Sequence, residues 1–273
     1  MRRVSVSLIF GTTILFVSSV FGAETPRDES IRVLLLSGQN NHNWQQTTRT
    51  IKSILEASGQ FTVEVDEHPQ RLTSERLQAF QVVLSNWNAS GSSPVSVSSW
   101  PPAVRECYIE FVRRGGGHVV IHAGSSSFYD WDEYHKLTLA TWQEGRTDHG
   151  PRHQFKVQIV ATDHPIAKGV GDFNYFGELW HRPALQEDVM IIASALSSKD
   201  HGGSGEQEPV AVAKQFGKGR SFTLLLGHDT TEMENSGFAA LLTRGTQWAA
   251  TGKTIAPGEA NTPRNSRSNR RDR

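Results

Sequence analysis

The chain has a single cysteine, Cys107, among 273 residues, so no intrachain disulfide can form. It also has no excess of positive charge: 28 Lys and Arg stand against 28 Asp and Glu. Setting aside Arg2 and Arg3, then six basic and two acidic residues from Lys253 onward, leaves 20 basic against 26 acidic residues in the body. Phosphate binding needs a basic face, so nucleic acid is not the expected partner. There is no internal repeat and no P-loop. Gly115-Gly116-Gly117 precedes its strand and lacks the spacing of a dinucleotide fingerprint. Without disulfides the fold must rest on its core or on a metal, and roughly 230 residues suffice for one large core.

The two ends differ from this body. Arg2 and Arg3 precede an apolar stretch from Val4 to Val20 that closes on Phe21-Gly22-Ala23, the layout of a secretory signal peptide. Residues 1–23 are therefore expected to be cleaved, leaving a secreted or periplasmic protein with no membrane span; a retained anchor is the alternative. Residues 253–273 are rich in Asn, Ser, Pro and Arg with almost no apolar residue, the composition of a basic disordered tail. One domain is expected over residues 24–252.

Within it, apolar runs alternate with helical patterns. Ile31 to Leu36, Val82 to Leu84, Val119 to Ile121 and Phe222 to Leu226 read as strands buried on both faces. Phe61, Val63 and Val65 alternate with polar residues as in a less buried strand. Ile51, Ile54 and Leu55 before Gly59, the face Val104, Cys107, Tyr108, Phe111 and Val112 after Pro101-Pro102, and the closing face Phe238, Leu241, Leu242, Gly245 and Trp248 have helical spacing. Leu72 to Phe80 and Asp130 to Ala140 are shorter helices. Phe155, Val157, Ile159 and Ala161 alternate, which indicates antiparallel strands joined late in the chain, with Met190 to Ala193 and Val210 to Ala213 as further strands. Ala89 to Ser99 reads as a loop, and so does Asp200 to Glu206, which is glycine-rich. The fold class is α/β, a doubly wound, mostly parallel sheet with added antiparallel strands. Cys107 falls on the core face of its helix, away from the setting a catalytic thiol needs.

Three histidines follow buried strands: His42 after the first, His122 after the central one and His228 after the last. A parallel sheet gathers such positions at its carboxyl edge. Glu178, in Phe176-Gly177-Glu178-Leu179-Trp180, is the acidic residue best suited to join them. Three imidazoles and a carboxylate suit zinc or a similar divalent ion, so His42, His122, Glu178 and His228 form a candidate metal set, with His122, Glu178 and His228 as candidate catalytic groups. The alternative is that some of these side chains only brace loops. Trp44, Trp87 and Trp180 offer aromatic faces for a sugar ring, with Tyr129 and Trp131 in nearby loops.

Five segments together resemble the ThuA family of trehalose-utilisation proteins: the glycine-rich turn and strand ending in His122-Ala123-Gly124; His164-Pro165-Ile166 with Gly169; Glu178-Leu179-Trp180; Gly217-Lys218-Gly219-Arg220 leading to Gly227-His228-Asp229; and the stretch Leu241 to Ala249. The resemblance spans Ile31 to about Gly252. It implies a flavodoxin-like fold similar to class I glutamine amidotransferases, and an association with disaccharide use. Those enzymes carry a cysteine nucleophile at the turn where this chain has His122, so thiol glutamine hydrolysis is excluded there. Ser125 is no substitute, because no G-x-S-x-G elbow surrounds it. Family members commonly have an acidic pair where this chain has Gly177-Glu178, and that loss counts against a two-carboxylate glycosidase. Two functions follow as expectations: an exported enzyme, hydrolase or lyase, acting on a sugar or keto-sugar, and a non-catalytic module that holds a glycan or a protein on the same scaffold.

Overall fold

The computed structural model describes residues 30–89 and 100–254; the expected signal peptide, nearly all of the Ala89 to Ser99 loop and nearly all of the basic tail lie outside the described residues. Its strands are β1 (Ile31–Leu36), β2 (Phe61–Asp66), β3 (Val82–Ser85), β4 (Gly117–Ile121), β5 (Ala140–Thr141), β6 (Asp148–His149), β7 (His153–Ile159), β8 (Phe173–Gly177), β9 (Trp180–His181), β10 (Ala184–Leu185), β11 (Met190–Leu196), β12 (Gln207–Phe216) and β13 (Gly219–Leu224). The helices are α1 (Trp44–Ala57), α2 (Ser74–Gln78), α3 (Pro102–Arg113), α4 (Asp132–Thr138), α5 (Thr230–Met233) and α6 (Ser236–Thr251).

Nine strands form one sheet in the order β2-β1-β3-β4-β13-β12-β11-β7-β8. From β2 to β13 every pairing is parallel; from β13 to β8 every pairing is antiparallel. The sheet is thus doubly wound in its first half and extended by a meander in its second. Side-chain alternation sorts the parallel strands between two cores. Val33, Leu35, Leu84, Val119, Ile121, Phe222 and Leu224 meet the apolar faces of α1 and α6, while Leu34, Leu36 and Val83 meet α3 and α4. Helix starts are set by side-chain caps: Asn43 accepts from the N–H of Gln46, and Asn235 accepts from those of Gly237 and Phe238.

Three expectations change in detail. The segment from Phe173 to Gly177, not recognised as a strand, is the outer edge β8, because its five residues show only two inward positions. The helix expected over Leu72 to Phe80 shrinks to Ser74–Gln78, preceded by a short 3-10 turn at Pro69–Arg71. Cys107 is half-buried at the margin of the α3 core rather than inside it. Among the described residues no helix is long and apolar enough to cross a membrane.

Candidate functional site

β4 and β13 are parallel neighbours, with Leu224 beside Ile121, so the residues that follow them emerge at one edge. His122 comes immediately after β4 and opens a 3-10 turn to Ser126; its backbone is left-handed, with φ of 42°. That sharp turn, costly for a residue with a Cβ, directs the imidazole back along the edge of the sheet. After β13 the chain turns through Gly227, whose φ of 99° suits glycine and whose missing Cβ leaves room for the Phe238 ring, and it then presents His228. His42 arrives from the loop between β1 and α1. Glu178 follows β8, on the far side of the antiparallel half.

These four side chains meet. Ligand nitrogens of His42, His122 and His228 all lie within 4.8 Å of one another. Glu178 Oε2 is 2.9 Å from His228 Nδ1, and its Oε1 is 3.6 Å from His122 Nε2. The proton positions follow from the neighbours. His122 Nδ1 is 2.8 Å from the carbonyl oxygen of Leu225, which only accepts, so Nδ1 carries the proton and Nε2 turns a lone pair inward. That Nε2 is buried and has no hydrogen-bond partner among the described residues. Asn40 donates through Nδ2 to the carbonyl of Asn86, which leaves its Oδ1 to accept from His42 Nδ1; Asn41 Oδ1 accepts there too. His42 Nε2 therefore also faces inward with a lone pair, 3.1 Å from His228 Nδ1. His228 Nδ1, set between this nitrogen and Glu178, holds the one proton at the centre of the group.

The electrostatics agree with that distribution. Burial is the largest influence on His42 and His122, lowering their pKa values to about 3 and about 4, so both are neutral at ordinary pH. For His228 the hydrogen bond to Glu178 is the largest influence and raises its pKa. Burial works to raise the carboxyl of Glu178, but the hydrogen bond from His228, the nearby His122 and His149, and the indole N–H of Trp180 outweigh it and hold it low. Neutral imidazoles with inward lone pairs, a carboxylate and one replaceable proton are a donor set that fits a divalent ion of the zinc class.

The group opens onto a cleft of about 640 Å³, whose walls include Tyr129, Trp142, His149, Trp180 and Asp229. Trp180 stands against His122, with ring centroids 5.0 Å apart, and donates to Glu178 Oε1 over 2.7 Å. Trp142 meets Trp180 edge to face. The other two expected aromatics stand elsewhere. Trp44 is the first residue of α1 and does not line the cleft. Trp87 is corrected to a core residue: 3% exposed, its ring is stacked on Phe128 and packed against Trp100, so it has no free face for a ligand. Ser125 is buried and donates to the carbonyl of His122, a brace for the turn. Cys107 lies on α3 outside the cleft, its thiol pKa raised chiefly by burial.

Several residues of the site are not among the candidates named from the sequence. His149 is brought in by pairing with Trp180 between β6 and β9, placing its Nε2 3.6 Å from Glu178 Oε2 on the open side. Arg152 and Asp229 pair across the rim at 2.7 Å, and Glu232 lies buried behind Glu178 and His228. The regions that hold these residues have no apolar period to read.

Solved structures share this arrangement of chain. A crystal structure of a putative ThuA-like protein from Parabacteroides merdae ATCC 43184 aligns with a TM-score of 0.74 at 29% identity, covering 86% of this chain and 95% of that one. Another putative ThuA-like protein, from Bacteroides uniformis ATCC 8492, aligns at 0.63 with 16% identity over 86% and 98%. A β-galactosidase from Rahnella sp. R3 shares the fold alone, at 0.53 and 16% identity, over 80% of this chain and 31% of that one. No curated protein matches the sequence. The family model described as ThuA, trehalose utilisation, matches residues 32–249, and the chain belongs to that family.

Proposed function

We propose that this ThuA-family protein is an exported, metal-dependent enzyme of carbohydrate metabolism, a hydrolase or lyase acting on a sugar or keto-sugar. The observation that carries the proposal is His122 Nε2: a buried lone pair with no hydrogen-bond partner among the described residues, at the point where His42, His228 and Glu178 converge. Leaving a polar atom unpaired costs about 1–3 kcal/mol, a cost that a bound cation removes. His42, His122, His228 and Glu178 would hold the ion, and a divalent ion of the zinc class would supply Lewis acidity toward a carbonyl or hydroxyl oxygen of the substrate.

The remaining work belongs to the chain. Asn40, Asn41 and the Leu225 carbonyl fix the ring orientations of His42 and His122, so the donors need no rearrangement on binding. His149, with Nδ1 donating to the carbonyl of Gly150, turns its Nε2 toward the cleft and is placed to take or return a substrate proton. Trp142 and Tyr129, both partly exposed, give ring faces that can lie along the apolar side of a pyranose, while Trp180, 4% exposed, borders the cleft and holds Glu178. Export is supported by the Arg2, Arg3 and Val4 to Ala23 layout.

The test begins with untagged protein. Metal content and melting with and without chelator are measured, followed by turnover of sugars and their keto derivatives. Bound metal and a lower Tm after chelation are expected; an ion at a hundredfold excess over its Kd contributes about 2.7 kcal/mol. His122→Ala is expected to weaken binding of the ion by more than the ~10–100-fold typical of an outer-shell loss, with unchanged circular dichroism. Absence of metal and of any chelator effect would remove the metal-dependent reading. Metal binding without turnover of any sugar would instead favour a non-catalytic module on this scaffold.

A further inference from the structure

Behind the cleft, one buried carboxylate is surrounded by donors alone. Glu232 lies on α5, and its side chain is 0% exposed. Oε1 accepts from the backbone N–H of Glu178 at 3.1 Å and forms an ion pair with Arg152, whose Nε is 3.0 Å away. Oε2 accepts from the backbone N–H of His228 at 3.1 Å and from the Tyr175 hydroxyl at 3.1 Å. That hydroxyl in turn accepts from the N–H of Gly227. Glu178 follows β8 and His228 follows β13, two strands separated in the sheet by β12, β11 and β7. β8 and β13 do not pair with each other, and this carboxylate spans from one to the other. Gly177 accommodates the bridge, since a Cβ there would lie 2.6 Å from the Glu232 carboxyl carbon.

We infer that Glu232 is a positioning residue that sets the distance between Glu178 and His228 by holding both backbone amides, and so joins the two halves of the sheet at the site. The inference rests on the reading of Glu178 and His228 as functional groups. It makes a specific claim about Glu232→Gln. Whichever way the new amide turns, its NH2 faces either the Glu178 N–H or the His228 N–H, so one of the two clamps is lost while shape is kept.

Amide hydrogen exchange at Glu178 and His228 reads the clamp directly, and Co2+ affinity reads its consequence. In Glu232→Gln, exchange at one of the two amides should accelerate by about tenfold or more, and Co2+ affinity should fall by about 10–100-fold. Ile109→Ala, a truncation in the other core, is the control; it should lower Tm and leave both amides protected. If Glu232→Gln does not fold, Gly177→Ala displaces the carboxylate without removing its charge and should accelerate the same exchange. Protection equal to wild type at both amides in a folded variant of either kind overturns the inference. If wild type binds no Co2+, the metal reading fails, and the exchange result still decides the role of Glu232.

Discussion

The two halves of the sheet build the site by different means. In the parallel half, β3 and β4 are buried along their whole length, and Leu34, Leu35 and Leu36 of β1 are 0% exposed, because helices cover both faces. In the antiparallel half β11 and β12 are still buried over continuous runs, but burial alternates in the outer strands: Phe155 and Val157 of β7 face the core while Gln154, Lys156 and Gln158 face water, and Phe176 on β8 is 56% exposed. The parallel half delivers His42, His122 and His228 by topology, each just past a strand whose position the ladder fixes. The side beyond β8 delivers Glu178, His149 and Trp180, placed by two side-chain bonds, the Glu232 clamp and the Trp180 indole on Glu178, and by the short main-chain pairing of β6 with β9 in a sheet of its own. The carboxyl edge of the parallel strands thus carries the nitrogen donors, and the segments beyond β8 bring the carboxylate and Trp180 to it.

The sharpest way to break that comparison is to make similar truncations in both halves. Leu84 is 0% exposed on β3, and Leu84→Ala should cost about 2–5 kcal/mol through lost transfer energy and a cavity that the covering helices cannot close. Ile159 is only partly buried near the end of β7, and Ile159→Ala should cost less than about 2 kcal/mol. Denaturant midpoints at constant m-value measure both. Equal losses would show that the extension is as tightly packed as the parallel half.

A buried histidine of the parallel half should also show in acid sensitivity. His118 on β4 is 0% exposed, its Nδ1 bonded to the Tyr108 hydroxyl, and burial lowers its pKa from 6.5 to about 3. As pH falls from about 6.5 toward about 3, the unfolded chain binds a proton that the folded chain refuses, so stability falls across that window and is fully present above it. His42 and His122 act in the same direction. The double variant His118→Leu with Tyr108→Phe removes the pair together. It should recover about 1–3 kcal/mol of stability at pH 4 relative to pH 7. An unchanged difference between the two pH values would place the acid limb elsewhere.

The same division decides what could be read from the sequence. β1, β3 and β4 are legible because strands covered on both faces leave short apolar runs bounded by Gly or polar residues, and a histidine just past such a run has a determined place. β8 is not legible: in Phe173-Asn174-Tyr175-Phe176-Gly177 two inward positions are too few to make a period. His149 and Trp142 reach the cleft through two-residue pairings between distant segments, which leave no local pattern. Trp87 departs from the expectation for a related reason. A tryptophan after a strand carries no sign of whether its ring turns to the cleft or, as here, into the aromatic core with Trp100 and Phe128.

The smallest expected effect is at Cys107, and it tests whether the chemistry is confined to the shared edge of the two halves. Cys107 sits on α3 facing α2, with its thiol 3.3 Å from the carbonyl of Val104 and 3.8 Å from that of Leu72. Burial raises its pKa, so at neutral pH it is a thiol and a poor nucleophile. A serine hydroxyl at this position finds the same carbonyl one turn back, which avoids the larger cost of a buried donor without an acceptor. Cys107→Ser should therefore cost less than about 1 kcal/mol, while metal affinity and any turnover remain at wild-type levels in the folded protein. Loss of turnover with the fold and the metal retained would move the chemistry to α3, a helix that packs on the sheet face away from α1 and α6, and the two-halves account of the site would fall with it.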